Sequence, residues 1–290
     1  MTRLLALAGM AVVAAAGLLA RQEDPPARFS SRTDLVEIYA TVASVEGEPV
    51  IGLHREDFTV YENDQLQEVS TFAAGELPLT VALGIDRSWS MAGDPLRLAK
   101  QAAQAFLRAL EPGDRSMVVA IGGDTDVIAP LAMDRADQGR AIAALAPWST
   151  TALHDAIIAT LDRLEPEPGR QALIVFSDGT DRYSRATAAQ VVARARRSNA
   201  LIYLIAFGNV RPPLVAELAV ITGGRSFLLR DLRDLEGTLA TVARELRYQY
   251  LLGYEPSELI EPQKPSWRSI RVVLAKSGFR VRARDGYAAD

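Results

Sequence analysis

The sequence predicts an α/β protein: a doubly wound, mostly parallel sheet carrying a small β domain made by the two ends of the chain. Two observations support the α/β part. Apolar runs of strand length recur from Leu79 onward, and segments with helical periodicity alternate with them. A third observation supports the β domain, because both flanks replace that alternation with short, turn-punctuated stretches.

In chain order, Met-Thr-Arg followed by the uncharged stretch Leu4 to Ala20 reads as a secretory signal over residues 1–20, with cleavage near Ala16 or Ala20. An uncleaved anchor is the alternative, although the run is slightly shorter than the ~20 residues a spanning helix needs. Either way the folded part is expected outside the cytoplasm, periplasmic or secreted, with no membrane contact required once the signal is cleaved. Residues 21–34 form a proline-containing linker. Residues 35–77 form the first β segment, with a strand over Leu35 to Val45, a turn at Glu46-Gly-Glu-Pro, and a hairpin of Phe58–Tyr61 and Gln65–Phe72 around Glu62-Asn63-Asp64.

Residues 78–246 carry the α/β pattern. Strands are expected at Leu79–Ile85, Met117–Ile121, Ala172–Phe176 and Leu201–Phe207, with a weaker one at Ser226–Leu229. Leu96, Ala99, Ala103, Phe106 and Leu110 repeat at helical spacing behind Asp94 as N-cap and Pro95 at the first helical position. Leu153, Ile157, Leu161 and Leu164 do the same, and Leu232–Tyr248 makes a last helix. Residues 247–290 return to β through Gln249–Tyr254, Arg268–Ala275 and Phe279–Arg284. Each β flank is thin alone, so the two are expected to pair.

The inventory removes several chemistries. The 290 residues include no cysteine, and the only histidines are His54 and His154, which excludes thiol nucleophiles, disulfides, zinc fingers and multi-histidine metal sites. A net charge of −4 argues against a nucleic-acid partner. Hard oxygen ligands remain, and they suit Mg²⁺, Mn²⁺ or Ca²⁺.

Two of the predicted strands end in carboxylates. Leu79–Ile85 runs into Asp86-Arg-Ser-Trp-Ser90, where alternation lets Asp86, Ser88 and Ser90 share one side of an extended chain. Ala172–Phe176 runs into Ser177-Asp178-Gly179, and Trp148-Ser-Thr-Thr151 adds a hydroxyl before a helix. Open α/β sheets collect ligands at the carboxyl ends of their strands, so two carboxylates and three hydroxyls there make a plausible octahedral oxygen site with one vacancy.

These residues resemble the von Willebrand factor A family with its metal-ion-dependent adhesion site, over about Pro78 to Leu246. Asp86, Ser88 and Ser90 match its Asp-x-Ser-x-Ser motif, Thr151 its loop threonine, and Asp178 its Ser-Asp-Gly motif. Gly52-Leu53, Glu56-Asp57-Phe58 and Tyr250-Leu-Leu-Gly-Tyr254 resemble the flanks of an exported bacterial subgroup. The resemblance implies a Rossmann-like fold, a Mg²⁺ held by those five residues, and a protein partner that offers an Asp or Glu to the open coordination position. It implies adhesion and no enzyme activity. Arg87 stands where the family has a small residue, Trp89 where it has glycine, and Ser149-Thr150 replaces Gly-Gly. Trp and Arg dominate binding hot spots, so Arg87 and Trp89 are read as a rim that contacts the partner.

Two rival readings are open. One is a Mg²⁺-dependent phosphohydrolase with Asp86 as nucleophile and Asp178 with Asp181 on the metal; position 88 is Ser, however, and the only lysines are Lys100, Lys264 and Lys276. The other is a structural envelope protein with a vestigial site. Asp155 reads as complementing a helix dipole, Asp181 as either that or an outer-shell group, and His154 as a surface helix residue. Arg280, Arg282 and Arg284 read as the wet face of an edge hairpin.

Overall fold

In the computed structural model the described residues are 35–75, 77–208, 212–257 and 266–289. The expected signal, and the linker over 21–34, lie outside them. In chain order the strands and helices are β1 (Val36–Ser44), β2 (Phe58–Glu62), β3 (Gln65–Gln67), β4 (Val69–Ala74), β5 (Leu79–Asp86), α1 (Asp94–Ala109), β6 (Arg115–Ile121), β7 (Thr125–Ala129), α2 (Arg135–Ala144) and α3 (Leu153–Leu164). They continue with β8 (Arg170–Ser177), α4 (Ala188–Arg196), β9 (Leu201–Phe207), α5 (Pro213–Thr222), β10 (Arg225–Leu229), α6 (Leu235–Arg247), β11 (Gln249–Tyr254), β12 (Ser266–Leu274), β13 (Phe279–Arg282) and β14 (Gly286–Ala289).

The central sheet has six strands in the order β10-β9-β8-β5-β6-β7, parallel except for β7. Its strands are continuous apolar runs because both faces are covered. Val81, Leu83 and Ile85 of β5 and Ile174 and Phe176 of β8 face the core beneath α1 and α6, while Ala82, Leu173 and Val175 face the core beneath α3, α4 and α5. Each large side chain so buried contributes roughly 1.5–3 kcal/mol. From β5 the chain winds outward through β6 and β7, then restarts at β8 on the other side. The crevice between the carboxyl ends of β5 and β8 is therefore the switch point of the sheet.

The flanks pair with each other. β1 lies between β13 and β11, with β4 beyond, and a second antiparallel sheet runs β14-β12-β2-β3. The two sheets share one core, in which Ile38, Ala40 and Val42 of β1 meet Val60 of β2 and Ile270 of β12. Tyr39, on the opposite face of β1, joins the core of the α/β layer instead, so β1 couples the two parts.

Several local expectations are corrected. Gln65–Phe72 is not one strand: β3 closes a tight hairpin on β2 through Asn63 and Asp64, both at positive φ, and β4 then leaves for the other sheet. β12 and β13 likewise form no hairpin, because β12 pairs with β2 and β14 while β13 pairs with β1. The arginine face is consequently not uniformly wet. Arg280 is exposed, but Arg282 reaches Glu245 at 2.7 Å and Arg284 donates to Asn199 Oδ1 at 2.6 Å.

Asp94 is not the N-cap of α1. Gly93, at φ 86°, holds that position, and the Asp94 carboxylate accepts from Arg97 at 2.9 and 3.0 Å. The periodicity missed α2, whose buried face is Ile142 together with a polar residue, Gln138. Gln138 is satisfied by Ser116, whose Oγ donates to Gln138 Oε1 at 2.6 Å while Gln138 Nε2 donates to Ser116 O at 2.6 Å.

Candidate metal centre

Three loops meet at the switch point, and backbone hydrogen bonds lock them together. From the loop after β5, Trp89 N donates to Ser149 O at 3.1 Å, and Trp148 N donates back to Arg87 O at 2.7 Å. From the loop after β8, Arg182 N and Tyr183 N both donate to Thr151 O, at 3.0 and 3.1 Å. Asp86, Ser88, Ser90, Thr151 and Asp178 are thereby gathered at one end of the sheet, although they span 93 positions from first to last.

Asp86 is fully buried at the last position of β5. Its Oδ1 accepts from Ser88 N at 2.8 Å, and its Oδ2 accepts from Ser177 Oγ at 2.6 Å. Ser88 Oγ and Ser90 Oγ lie 3.1 Å apart, the first buried and the second exposed. Thr151 is buried two residues before α3 begins, and Asp178, half-buried, turns its Oδ1 to Thr180 N at 2.8 Å. The Asp86 carboxyl is pushed above the usual carboxylate range, first by burial and further by the negative charge of Asp178; the hydrogen bonds from Ser177 and Ser88 oppose this. No cationic side chain pairs with Asp86 among the described residues.

The donors present are carboxylate and hydroxyl oxygens, which match a hard divalent cation, and the buried carboxylate lacks the countercharge such an ion would bring. Asp86, Ser88, Ser90, Thr151 and Asp178 are the residues whose chemistry fits it.

Around this set the structure shows supports that local patterns did not reveal. Ser177 lies beneath Asp86 and also accepts from Gly179 N at 3.0 Å, so one hydroxyl orients both the carboxylate and the following turn. Gly179 sits at φ 77°, and a Cβ there would come within 2.4 Å of the Pro212 ring, so no other residue fits. Ser149 adopts φ 67°, the left-handed conformation that glycine accepts at less cost.

Asp181 accepts from Ser184 Oγ at 2.6 Å and from His154 N at 3.2 Å, and Asp155 accepts from Arg185 N and Ala186 N, each at 2.9 Å. His154 is not a surface residue: its side chain is 17% exposed and its Nδ1 donates to Ala186 O at 3.0 Å. These three side chains fasten the loop carrying Asp178 to the first turn of α3. The sign that could have exposed them is an acid one helical turn beyond each motif, Asp155 four residues after Thr151 and Asp181 three after Asp178.

Arg87 and Trp89 diverge. Arg87 folds back, donating to Asp126 Oδ2 at 2.7 Å with its guanidinium 5.0 Å from the Trp148 ring. Trp89 is 66% exposed.

Comparison with known proteins agrees with this fold. Among solved structures, the chain is similar to a von Willebrand factor type A protein from Catenulispora acidiphila, with 15% identity, a TM-score of 0.51, and coverage of 90% of this chain and 74% of that one. It is similar to proximal thread matrix protein 1 from the mussel byssus, with 16% identity and a TM-score of 0.51, covering 64% of this chain and about half (49%) of that one. It also resembles the vWF domain of the type V pili tip protein Mfa5 from Porphyromonas gingivalis, with 12% identity and a TM-score of 0.50, covering 58% of this chain and 95% of that domain. These likenesses show the fold. Comparison with curated proteins gives no match. No helix among the described residues is long and apolar enough to cross a membrane. The family model of the von Willebrand factor type A domain, a class of protein–protein interaction modules generally without catalytic activity, matches residues 81–241, and the chain belongs to that family.

Proposed function

We propose that this chain is an exported protein that binds another protein through a divalent cation at the switch point of its sheet. Asp86, Ser88, Ser90, Thr151 and Asp178 hold the ion, and an Asp or Glu of the partner completes its coordination. Mg²⁺ is the ion of choice, and Mn²⁺ or Ca²⁺ suit the same oxygens. The observation that carries the reading is Asp86: a fully buried carboxylate, without a cationic partner among the described residues, beside Asp178 and a pair of hydroxyls 3.1 Å apart. Two carboxylates balance a divalent charge, so the ion still attracts a third carboxylate once the contact excludes water. Export rests on the signal-like residues 1–20.

The phosphohydrolase reading has less support. It needs a lysine near the crevice, but Lys100 Nζ donates to Leu145 O at 2.7 Å and Lys276 pairs with Asp57 at 2.9 Å. Lys264 lies outside the described residues.

Calorimetric titration with Mg²⁺ tests the reading first, with saturable binding expected in the wild type and none in Asp86→Ala. Pull-downs from envelope extract, with and without chelator, then test adhesion. A recovered partner that is indifferent both to the chelator and to Asp178→Ala would refute it.

A further inference from the structure

We infer that the partner's acidic residue is flanked by proline or other apolar side chains, received by three exposed aromatic residues around the crevice: Trp89, Trp148 and Tyr183. This rests on the metal-site reading above and names the class of peptide that the site takes.

The three come from three different loops and are 66%, 46% and 67% exposed. Their backbones are tied to the same short segment. Trp89 N bonds Ser149 O, Trp148 is the residue before Ser149, and Tyr183 N bonds Thr151 O. The aromatics therefore ring the segment that carries Thr151, and the loop locks hold them there. Of the three tryptophans, Trp89 and Trp148 lie exposed at this end of the sheet, Trp148 with Arg87 stacked on one face of its ring, and Trp267 is exposed on β12. Aromatic side chains of this size bury about 150–250 Å² each when covered, so leaving them exposed costs the free protein a contact that a partner can supply.

The polar side chains nearby favour a peptide over a sugar. Asp126, Asp155, Asp181 and Ser184 are engaged within the protein, so these four are not free to pair with the hydroxyls of a glycan. Arg87 is likewise held by Asp126, so the exposed cations of the rim are Arg182 and Arg185 on the Tyr183 loop. They add attraction for an acidic peptide without a fixed position.

The probe is a synthetic nonapeptide with one central Asp flanked by Pro and Phe, compared with the same peptide carrying Gly and Ser at the flanks and with a uronic-acid oligosaccharide. Affinities are measured in Mg²⁺ and in Mn²⁺, and cation binding is titrated in parallel for every variant. The apolar-flanked peptide is expected to bind about tenfold more tightly than the Gly/Ser peptide, and Trp89→Ala with Tyr183→Ala to bring that ratio close to one on cation-loaded protein. Saturable cation binding with equal peptide affinities, with no peptide binding, or with a ratio untouched by the double variant overturns this inference alone. Tighter binding of the uronate overturns it in favour of a glycan. Absence of saturable cation binding in the wild type brings down the metal-site reading, and this inference falls with it.

Discussion

Glu62 and Asp86 are both buried carboxylates, 3% and 0% exposed, yet their surroundings are opposite. Glu62, in the core shared by the two flanking sheets, has Arg268 Nη1 at 2.6 Å on one oxygen and the hydroxyls of Tyr254 and Tyr287 at 2.6 and 2.8 Å on the other. Its charge and its lone pairs are answered within the protein. Asp86 receives neutral donors, the hydroxyls of Ser177 and Ser88 and the Ser88 backbone N–H, with Asp178 nearby adding like charge. The fold neutralises one buried carboxylate completely and, among the described residues, leaves the other without a cation; the proposed metal site rests on that difference.

That contrast can be broken at either end. The largest effect is expected from Glu62→Ala, which strands Arg268 and two tyrosine hydroxyls in the flanking core; a loss of about 3–5 kcal/mol in chemical denaturation is expected. If the loss is under ~1 kcal/mol, Glu62 is not the keystone its contacts suggest.

Asp86→Asn keeps the shape and removes the charge. With chelator present, the variant is expected to equal or exceed the wild type in stability by about 1 kcal/mol at neutral pH, and to lose the rise in Tm that Mg²⁺ gives the wild type. The sign of the pH dependence follows from the raised pKa. The folded state holds the Asp86 proton more tightly than the unfolded chain, so the stability this confers is fully present below about pH 3.9 and is lost as pH rises through the higher folded value. The chelated wild type should therefore fall behind Asp86→Asn as pH rises, and Mg²⁺ should restore it; parallel stability curves in chelator would contradict this.

Ser177→Ala removes the hydrogen bond beneath Asp86. It is expected to cost about 1–2 kcal/mol and to weaken Mg²⁺ binding in the same calorimetric titration. The smallest effect is expected from Ser149→Gly, which relieves the left-handed backbone at φ 67° while adding chain entropy to the unfolded state. A net gain of about 0.5 kcal/mol, read from the denaturation midpoint, is expected.

Much of this was legible in the sequence. The runs Leu79–Ile85, Ala172–Phe176 and Leu201–Phe207 announced strands covered on both faces because they are almost wholly apolar, and β5, β8 and β9 are buried at every residue. Short polar elements were not legible. β7 is an edge strand with one fully buried residue, and α2 buries a glutamine, so neither displays the periodicity that betrays a core-facing segment. The path of the β flanks was hidden for a different reason. Whether Gln65–Phe72 stays on one sheet, or β12 turns back on β13, depends on which strand edge is open elsewhere in the fold, and no local pattern encodes that.

The same division holds at the crevice. The sequence by itself supplied five candidate oxygen donors, Asp86, Ser88, Ser90, Thr151 and Asp178, through the spacing of three motifs, and excluded thiol and multi-histidine chemistry, because an inventory needs no coordinates. Only the tertiary structure decided that Asp86 is buried without a countercharge, that Ser177 orients it, that Arg87 is held by Asp126 while Trp89 stays in solvent, and that Asp181, Asp155 and His154 fasten the third loop. Each of these depends on groups far apart in the chain approaching within a hydrogen bond's length. Desolvation and charge are properties of that assembled neighbourhood, not of any residue in it.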